Sequence, residues 1–209
     1  MNIIEVLNWR HASKRMNGTK VSSEKINEIL EAIRLSASSF GLQPYRIIVI
    51  ENEDVKKKLQ AFSINPQISE CSHLLIFAVI ETITEKYIEE YINRIIKIRG
   101  VSPESLNPIN NKLKTHFSNL STEDSFNWSA KQAYIGLGTA LIAASNLKVD
   151  SSPMEGFNPV GFDEVLELKE KGLKSVVLLG LGYRDKANDF LSKAKKVRLQ
   201  KEELVIEIN

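Results

Sequence analysis

Four stretches of the chain carry side chains that could act together on one ligand. NWRHASKRM, residues 8–16, places Arg10, His11, Lys14 and Arg15 beside Trp9 and Met16. SASSFGLQPY, residues 36–45, is small and hydroxylic and ends in Gln-Pro before an apolar run. SPMEGFNP, residues 152–159, has the composition of a turn, and KAKKVR, residues 193–198, is a second basic run. Guanidinium groups grip phosphate through paired N–H donors, and lysine adds a mobile point charge. Taken singly, each stretch also suits a solvated helix end, a charged loop or a turn. Taken together, a basic cluster near each end of the chain plus hydroxyl donors can converge on one compact anion such as a phosphate.

Other chemistries find less support. The three histidines, His11, His73 and His116, stand at no metal-ligand spacing with one another, with cysteine or with carboxylates, so no metal is expected. His73 leads an apolar run and reads as a core residue; Cys71, just before it, reads as buried. Neither a nucleophile elbow nor a P-loop occurs. GLGTAL, 136–141, lies inside a helical stretch and lacks the third glycine of a dinucleotide fingerprint. A net charge of +2, with 26 acids against 28 bases, argues against nucleic acid. The apolar share of 43% and charged share of 26% fit a soluble globular chain, and 209 residues fit a single domain spanning 1–209. No apolar run approaches a membrane span, and MNIIEVLNWR lacks the layout of a signal peptide. A single cysteine permits no intramolecular disulfide, and a reducing cytoplasmic setting is the natural expectation.

The elements that must hold these stretches alternate along the chain. Ile26, Ile29, Leu30 and Ile33 recur at helical spacing behind Ser22 or Ser23 as N-cap. YRIIVIE (45–51), HLLIFAVI (73–80) and KSVVLLGLGY (174–183) read as buried strands. Helices are expected over 53–62, around Tyr87–Ile95 with Gly100 as its stop, from Ser102 onward, over 123–147, and over 163–172. VRLQKEELVIEIN ends in a candidate fourth strand. Apolar strands flanked by helices, without one-for-one alternation, predict an α+β three-layer α-β-α sandwich around a mixed, mainly antiparallel sheet.

The order of motifs resembles the FMN-dependent nitroreductases. That family carries R-H-S-x-[KR], then S-P-S-S-x-N-x-Q-P-W, then D-A-S-H before a strand, then P-x-E-G-F after a long helix, and K-x-R-L near the C-terminus. Here stand RHASK (10–14), SASSFGLQPY (36–45), ECSHLLIF (70–77), PMEGF (153–157) and KVRL (196–199), with Trp128, Ala130, Lys131 and Gln132 matching a further W-x-A-K-Q element. The resemblance runs from about residue 3 to residue 200. It implies an intertwined homodimer with FMN at the interface. It also implies ping-pong hydride transfer from NADPH or NADH through FMN to nitroaromatic, quinone or flavin acceptors. Two other readings stay open: a relative with different reductive or oxygen-dependent chemistry, and a non-catalytic FMN-binding protein.

Roles follow by resemblance, residue by residue. Arg10, Lys196 and Arg198 bind the FMN phosphate, with His11 and Ala12 beside them. Lys14 lies near the flavin pyrimidine, where a cation stabilises the anionic reduced ring. Ser38, Ser39, Gly41 and Gln43 reach the partner's cofactor, together with Pro44. Pro153, Met154, Glu155 and Gly156 lie on one face of the ring, with the Glu155 backbone N–H near N5. Asn65 and Gln67 stand where some members place a lysine on the pyrimidine edge. No side chain is assigned as acid or base. Residues 84–120 correspond to the lid that selects substrate, with Phe117 as its candidate aromatic, and 193–209 form a C-terminal extension. Ala12 replaces the family's serine, Gly41 its asparagine and Tyr45 its tryptophan, and Arg15 is expected to face solvent.

Overall fold

The computed structural model describes residues 2–208. Nine helices and four strands are described among them: α1 (Ile3–Trp9), α2 (Ser23–Leu35), β1 (Tyr45–Ile50), α3 (Glu53–Gln60), α4 (Gln67–Glu70), β2 (His73–Ile80), α5 (Glu85–Arg99), α6 (Asn107–Ser118), α7 (Thr122–Asn146), β3 (Asp150–Met154), α8 (Pro159–Val165), β4 (Leu173–Gly182) and α9 (Lys201–Leu204). The strands form one sheet in the order β1-β2-β4-β3, and every neighbouring pair is antiparallel.

The central strands are apolar on both faces, so they need cover on both sides. Leu75, Phe77, Val79, Val177, Leu179 and Leu181 point to one face, where Ile26, Ile29 and Ile33 of α2 meet Ala133, Leu137, Ala140 and Ala144 of α7. Leu74, Ile76 and Leu178 point to the other, against Leu59, Ile68 and Phe162. This is the expected three-layer sandwich. The small residues of α7 let that helix lie close: a Cβ on Gly136 would come within 3.0 Å of the Tyr45 hydroxyl. A third cluster, with Leu42, Ile83, Ile88, Ile92, Leu113 and Phe117, joins α5 and α6 into a lobe beside the sheet. Gly100 ends α5 in the left-handed conformation at φ 65°, as expected of a glycine stop.

Three expectations are corrected. The sheet is antiparallel throughout rather than mixed; the parallel element is an isolated bridge between Ala12 and Ser151. The fourth strand is Asp150–Met154, overlapping the stretch read as a turn, while the tail, among the described residues, forms α9 and no strand. Ser-Ser-Pro is a poor strand former, but β3 is an edge strand, where proline is tolerated. The helix expected over 163–172 starts earlier and stops sooner. The Asn158 side chain accepts from the N–H groups of Val160 and Gly161 with Pro159 in the first turn, and Glu167 at φ 52° breaks the continuation.

Cys71 and His73 occupy the core as expected. Ser72 Oγ lies 2.8 Å from His73 Nδ1. Burial pushes the Cys71 thiol up to about 11. A thiol-specific reagent near pH 8 is therefore expected to modify native Cys71 about two orders of magnitude more slowly than the unfolded chain, because the thiolate is the reactive form. Labelling at the unfolded rate would contradict that burial.

Candidate functional site

α1 ends at Trp9, whose ring carries Arg184 at 4.6 Å and Lys148 at 4.7 Å. Arg184 is in turn held by buried Asp150 at the start of β3, through Nε to Oδ1 at 2.6 Å and its backbone N–H to Oδ2 at 2.9 Å. The chain therefore leaves α1 at a fixed place and runs as RHASK along the end of the sheet. There Arg10, His11, Ala12 and Lys14 meet Leu191 and residues 194–198 around a cleft of about 260 Å³. The two basic stretches from opposite ends of the sequence do converge.

The electrostatics of this cleft are one-sided. The Lys196 ammonium donates to the backbone carbonyls of Asn8, at 3.0 Å, and Arg10. Burial, then the charges of Arg10, Arg198 and Arg184, lower the Lys196 pKa. Burial and Arg198 lower that of Arg10. Among the described residues, none of Arg10, Lys14, Lys196 and Arg198 forms an ion pair. Cations gathered with no ion pair of their own favour an anion in their midst. Arg15 is exposed, as expected, yet is tied to Glu70 at 2.8 Å, outside this cluster.

Beside the cleft lies a knot of buried polar residues. Gln67, 2% exposed, donates from Nε2 to the Ser13 carbonyl at 3.0 Å, and the Ser13 N–H donates to the Ser151 carbonyl at 3.3 Å. Three side-chain oxygens of this knot, Ser13 Oγ, Gln67 Oε1 and Ser151 Oγ, have no hydrogen-bond partner among the described residues. Buried polar atoms are rarely left so, and three on mutually bonded residues point to a polar ligand. Ser13 and Ser151 escaped the sequence reading because serine is common everywhere; the signal was the neighbouring motif alone.

After β3 the chain turns through Glu155 and Gly156. Tyr134 of α7 donates to Glu155 Oε1 at 2.6 Å; burial and then that carboxylate push the phenol up to about 12. The Gly156 carbonyl accepts from Ser63 Oγ at 2.6 Å and from Asn65 Nδ2 at 2.8 Å. The turn is thus pinned on both sides, while the N–H groups of Glu155 and Gly156 have no acceptor among the described residues. A Cβ on Gly156 would approach Asn65 Nδ2 to 3.2 Å. Asn65 commits its amide nitrogen to this scaffold, and Gln67 commits its own to the Ser13 carbonyl.

The hydroxylic loop is not part of the cleft lining within one chain. Ser38 Oγ accepts from the Gln43 N–H at 3.1 Å, and the Ser39 N–H donates to Gln132 Oε1 at 2.7 Å. Tyr87 and Tyr91 of α5 donate their hydroxyls to the carbonyls of Leu42, Gln43 and Phe40. Gly41, at φ 77° with Tyr91 Oη 3.2 Å from where a Cβ would be, suits a conformation that few residues adopt. Phe117, the candidate lid aromatic, lies inside the lobe of α5 and α6. It is 4% exposed and packs edge-on against Trp128 at 4.8 Å inside the lobe, which accounts for it as a core aromatic.

Comparison with known proteins agrees with the sequence motifs. The family model described as "Nitroreductase family" matches residues 7–183. The major NAD(P)H-flavin oxidoreductase of Aliivibrio fischeri is 30% identical over 213 residues, covering 97% of each chain. A Staphylococcus haemolyticus protein, provisionally named an NAD(P)H nitroreductase, is 34% identical over 197 residues, covering 87% of this chain and 88% of its own. A protein of Exiguobacterium sibiricum solved in complex with FMN superposes with a TM-score of 0.83 at 19% identity, covering 100% of this chain and 98% of its own, and so shares the fold. No helix among the described residues is long and apolar enough to cross a membrane. With the cationic cleft, the buried polar knot and the pinned turn all carried by one α+β scaffold, the chain belongs to the nitroreductase family.

Proposed function

We propose that this protein binds FMN and works as an NAD(P)H-dependent oxidoreductase, with nitroaromatics, quinones or free flavins as acceptors. The observation that carries this reading is the convergence on one cleft of Arg10, Lys196 and Arg198, none of them ion-paired among the described residues. FMN supplies the chemistry: it takes a hydride from NADPH or NADH and passes two electrons to the acceptor. The residues present fit that group. The cations suit its phosphate, and the unpartnered oxygens of Gln67, Ser13 and Ser151 suit the polar edge of a flavin or its ribityl hydroxyls. The free N–H groups at Glu155 and Gly156 suit a ring nitrogen or carbonyl. The protein's contribution is placement and electrostatics, so the absence of a catalytic triad is no obstacle.

Two chains are proposed to form each site. Ser38, Ser39 and Gln43 do not line the cleft of their own chain, as expected of residues serving a partner's cofactor. A large apolar surface supports the homodimer: Ile3 and Ile4 of α1, Ile135 and Ile142 of α7, and Leu199, Ile206 and Ile208 of the tail are between 40% and 94% exposed. α1 and α7 pack against each other, and exposed apolar residues on adjoining helices suit an interface. Steady-state oxidation of NADPH with a quinone tests the function. Parallel double-reciprocal lines are expected as the quinone is varied; no FMN-dependent turnover with either nicotinamide would overturn the reading.

Gln67 brings no charge to the proposed flavin edge, so the bound flavin is expected to have a lower reduction potential than in lysine-bearing members. Gln67→Lys is expected to raise it by on the order of 30 mV or more, since one cation a few ångströms away is worth over 1 kcal/mol at an effective dielectric of about 20. Dye-linked anaerobic titration reads this directly, and an unchanged or lower potential in the variant would contradict it.

A further inference from the structure

The basic cleft has one buried carboxylate behind its wall, and no motif predicted it. Asp189 lies in the segment after β4, with its side chain fully buried. Oδ2 accepts from the Lys14 backbone N–H at 3.2 Å and lies 3.1 Å from His11 Nε2. Oδ1 accepts from the Leu191 N–H at 3.0 Å. Its own N–H and carbonyl close the local turn, to the Asp185 carbonyl at 2.8 Å and from the Ser192 N–H at 3.0 Å. One carboxylate therefore grips the 10–14 loop with one oxygen and the start of the 191–198 segment with the other. These are the two segments that carry Arg10 and Lys14 on one side and Lys196 and Arg198 on the other.

We infer that Asp189 is a positioning residue that registers the two basic segments on the phosphate end of the cofactor; this rests on the FMN reading above. The cations repel one another. Asp189 adds a carboxylate to the bonds that already hold the first segment to Ser151 and Gln67 and that join Lys196 to the carbonyls of Asn8 and Arg10. Asp189 is well suited to the tie: a carboxylate only accepts, and every group facing it here is a backbone N–H or a histidine ring nitrogen able to donate. Asparagine has the same size but one accepting oxygen. In Asp189→Asn the amide NH2 must face either the Lys14 and His11 donors or the Leu191 donor, so one of the two segments loses its anchor.

The test compares FMN with riboflavin, which has the same ring and no phosphate, on purified apoprotein of wild type and Asp189→Asn. Wild type is expected to bind FMN far more tightly than riboflavin. The variant is expected to lose about tenfold or more in affinity for FMN, with riboflavin affinity changed less than about threefold. Equal losses for both ligands, or no loss, would overturn the role of Asp189 while leaving the FMN reading intact. Wild type that binds neither ligand would overturn the FMN reading itself. If the variant does not fold, amide hydrogen exchange on wild type decides. FMN is expected to protect the 10–16 and 185–198 segments together, and protection of the first alone would refute the coupling.

Discussion

Replacing Arg10 and Arg198 together with alanine is expected to leave a folded protein that loses FMN during purification. Each guanidinium offers charge-assisted hydrogen bonds to phosphate, worth about 1.5–3 kcal/mol apiece. The two act on one another, since burial and then the charge of Arg198 lower the Arg10 pKa, so their contributions will not simply add. A loss of at least about a hundredfold in FMN affinity is the expected result. The apoprotein itself should not be destabilised: both substitutions relieve repulsion, and neither Arg10 nor Arg198 has an ion-pair partner among the described residues. Fluorescence titration of apoprotein with FMN measures the affinity, and thermal melting without FMN measures the fold. A double variant that binds FMN within threefold of wild type would remove the phosphate from this cleft.

The second large effect is on stability. Asp150→Ala is expected to destabilise the protein by about 3–5 kcal/mol, the range for breaking a buried ion pair by removing one partner. Asp150 and Arg184 have side chains 6% and 14% exposed, and Arg184 lies over Trp9 at the end of α1. Loss of the carboxylate leaves a guanidinium buried against an aromatic ring. Asp150→Asn is expected to lose less, because its remaining oxygen can still accept from the Arg184 backbone N–H. Denaturant midpoints at constant slope give the comparison. A change under about 1 kcal/mol in the alanine variant would show that Arg184 finds another partner. The same pair fixes where RHASK begins, so the alanine variant is also expected to bind FMN more weakly.

What the sequence made legible follows the strength of its local signals. β2 and β4 are continuous apolar runs, and the alternation of Leu75, Phe77 and Val79 with Leu74 and Ile76 onto two faces required helices on both sides. The cations at both ends of the chain were visible as clusters and are brought together as expected. β3 was not legible, because Asp-Ser-Ser-Pro-Met has turn composition and becomes a strand only by pairing with β4. The tail misled in the opposite sense: Val205, Ile206 and Ile208 have strand character but no strand to pair with among the described residues. Asp189, Ser13 and Ser151 were missed for a common reason. Their importance lies in contacts between distant segments, and single acidic or hydroxylic residues carry no periodic signal. The lobe of α5 and α6 matches no motif, and Phe117, its candidate lid aromatic, is buried there against Trp128.

The most direct test of FMN-dependent hydride transfer is the visible absorption spectrum of the protein purified without added cofactor, recorded before and after NADPH under anaerobic conditions and again after a quinone. Flavin bands that bleach with NADPH and return with the quinone are expected, and would demonstrate the cofactor and both half-reactions in one sample. A colourless protein that also fails to take up added FMN would contradict the proposal, and would mean that the family motifs here maintain a fold whose cofactor site has been lost.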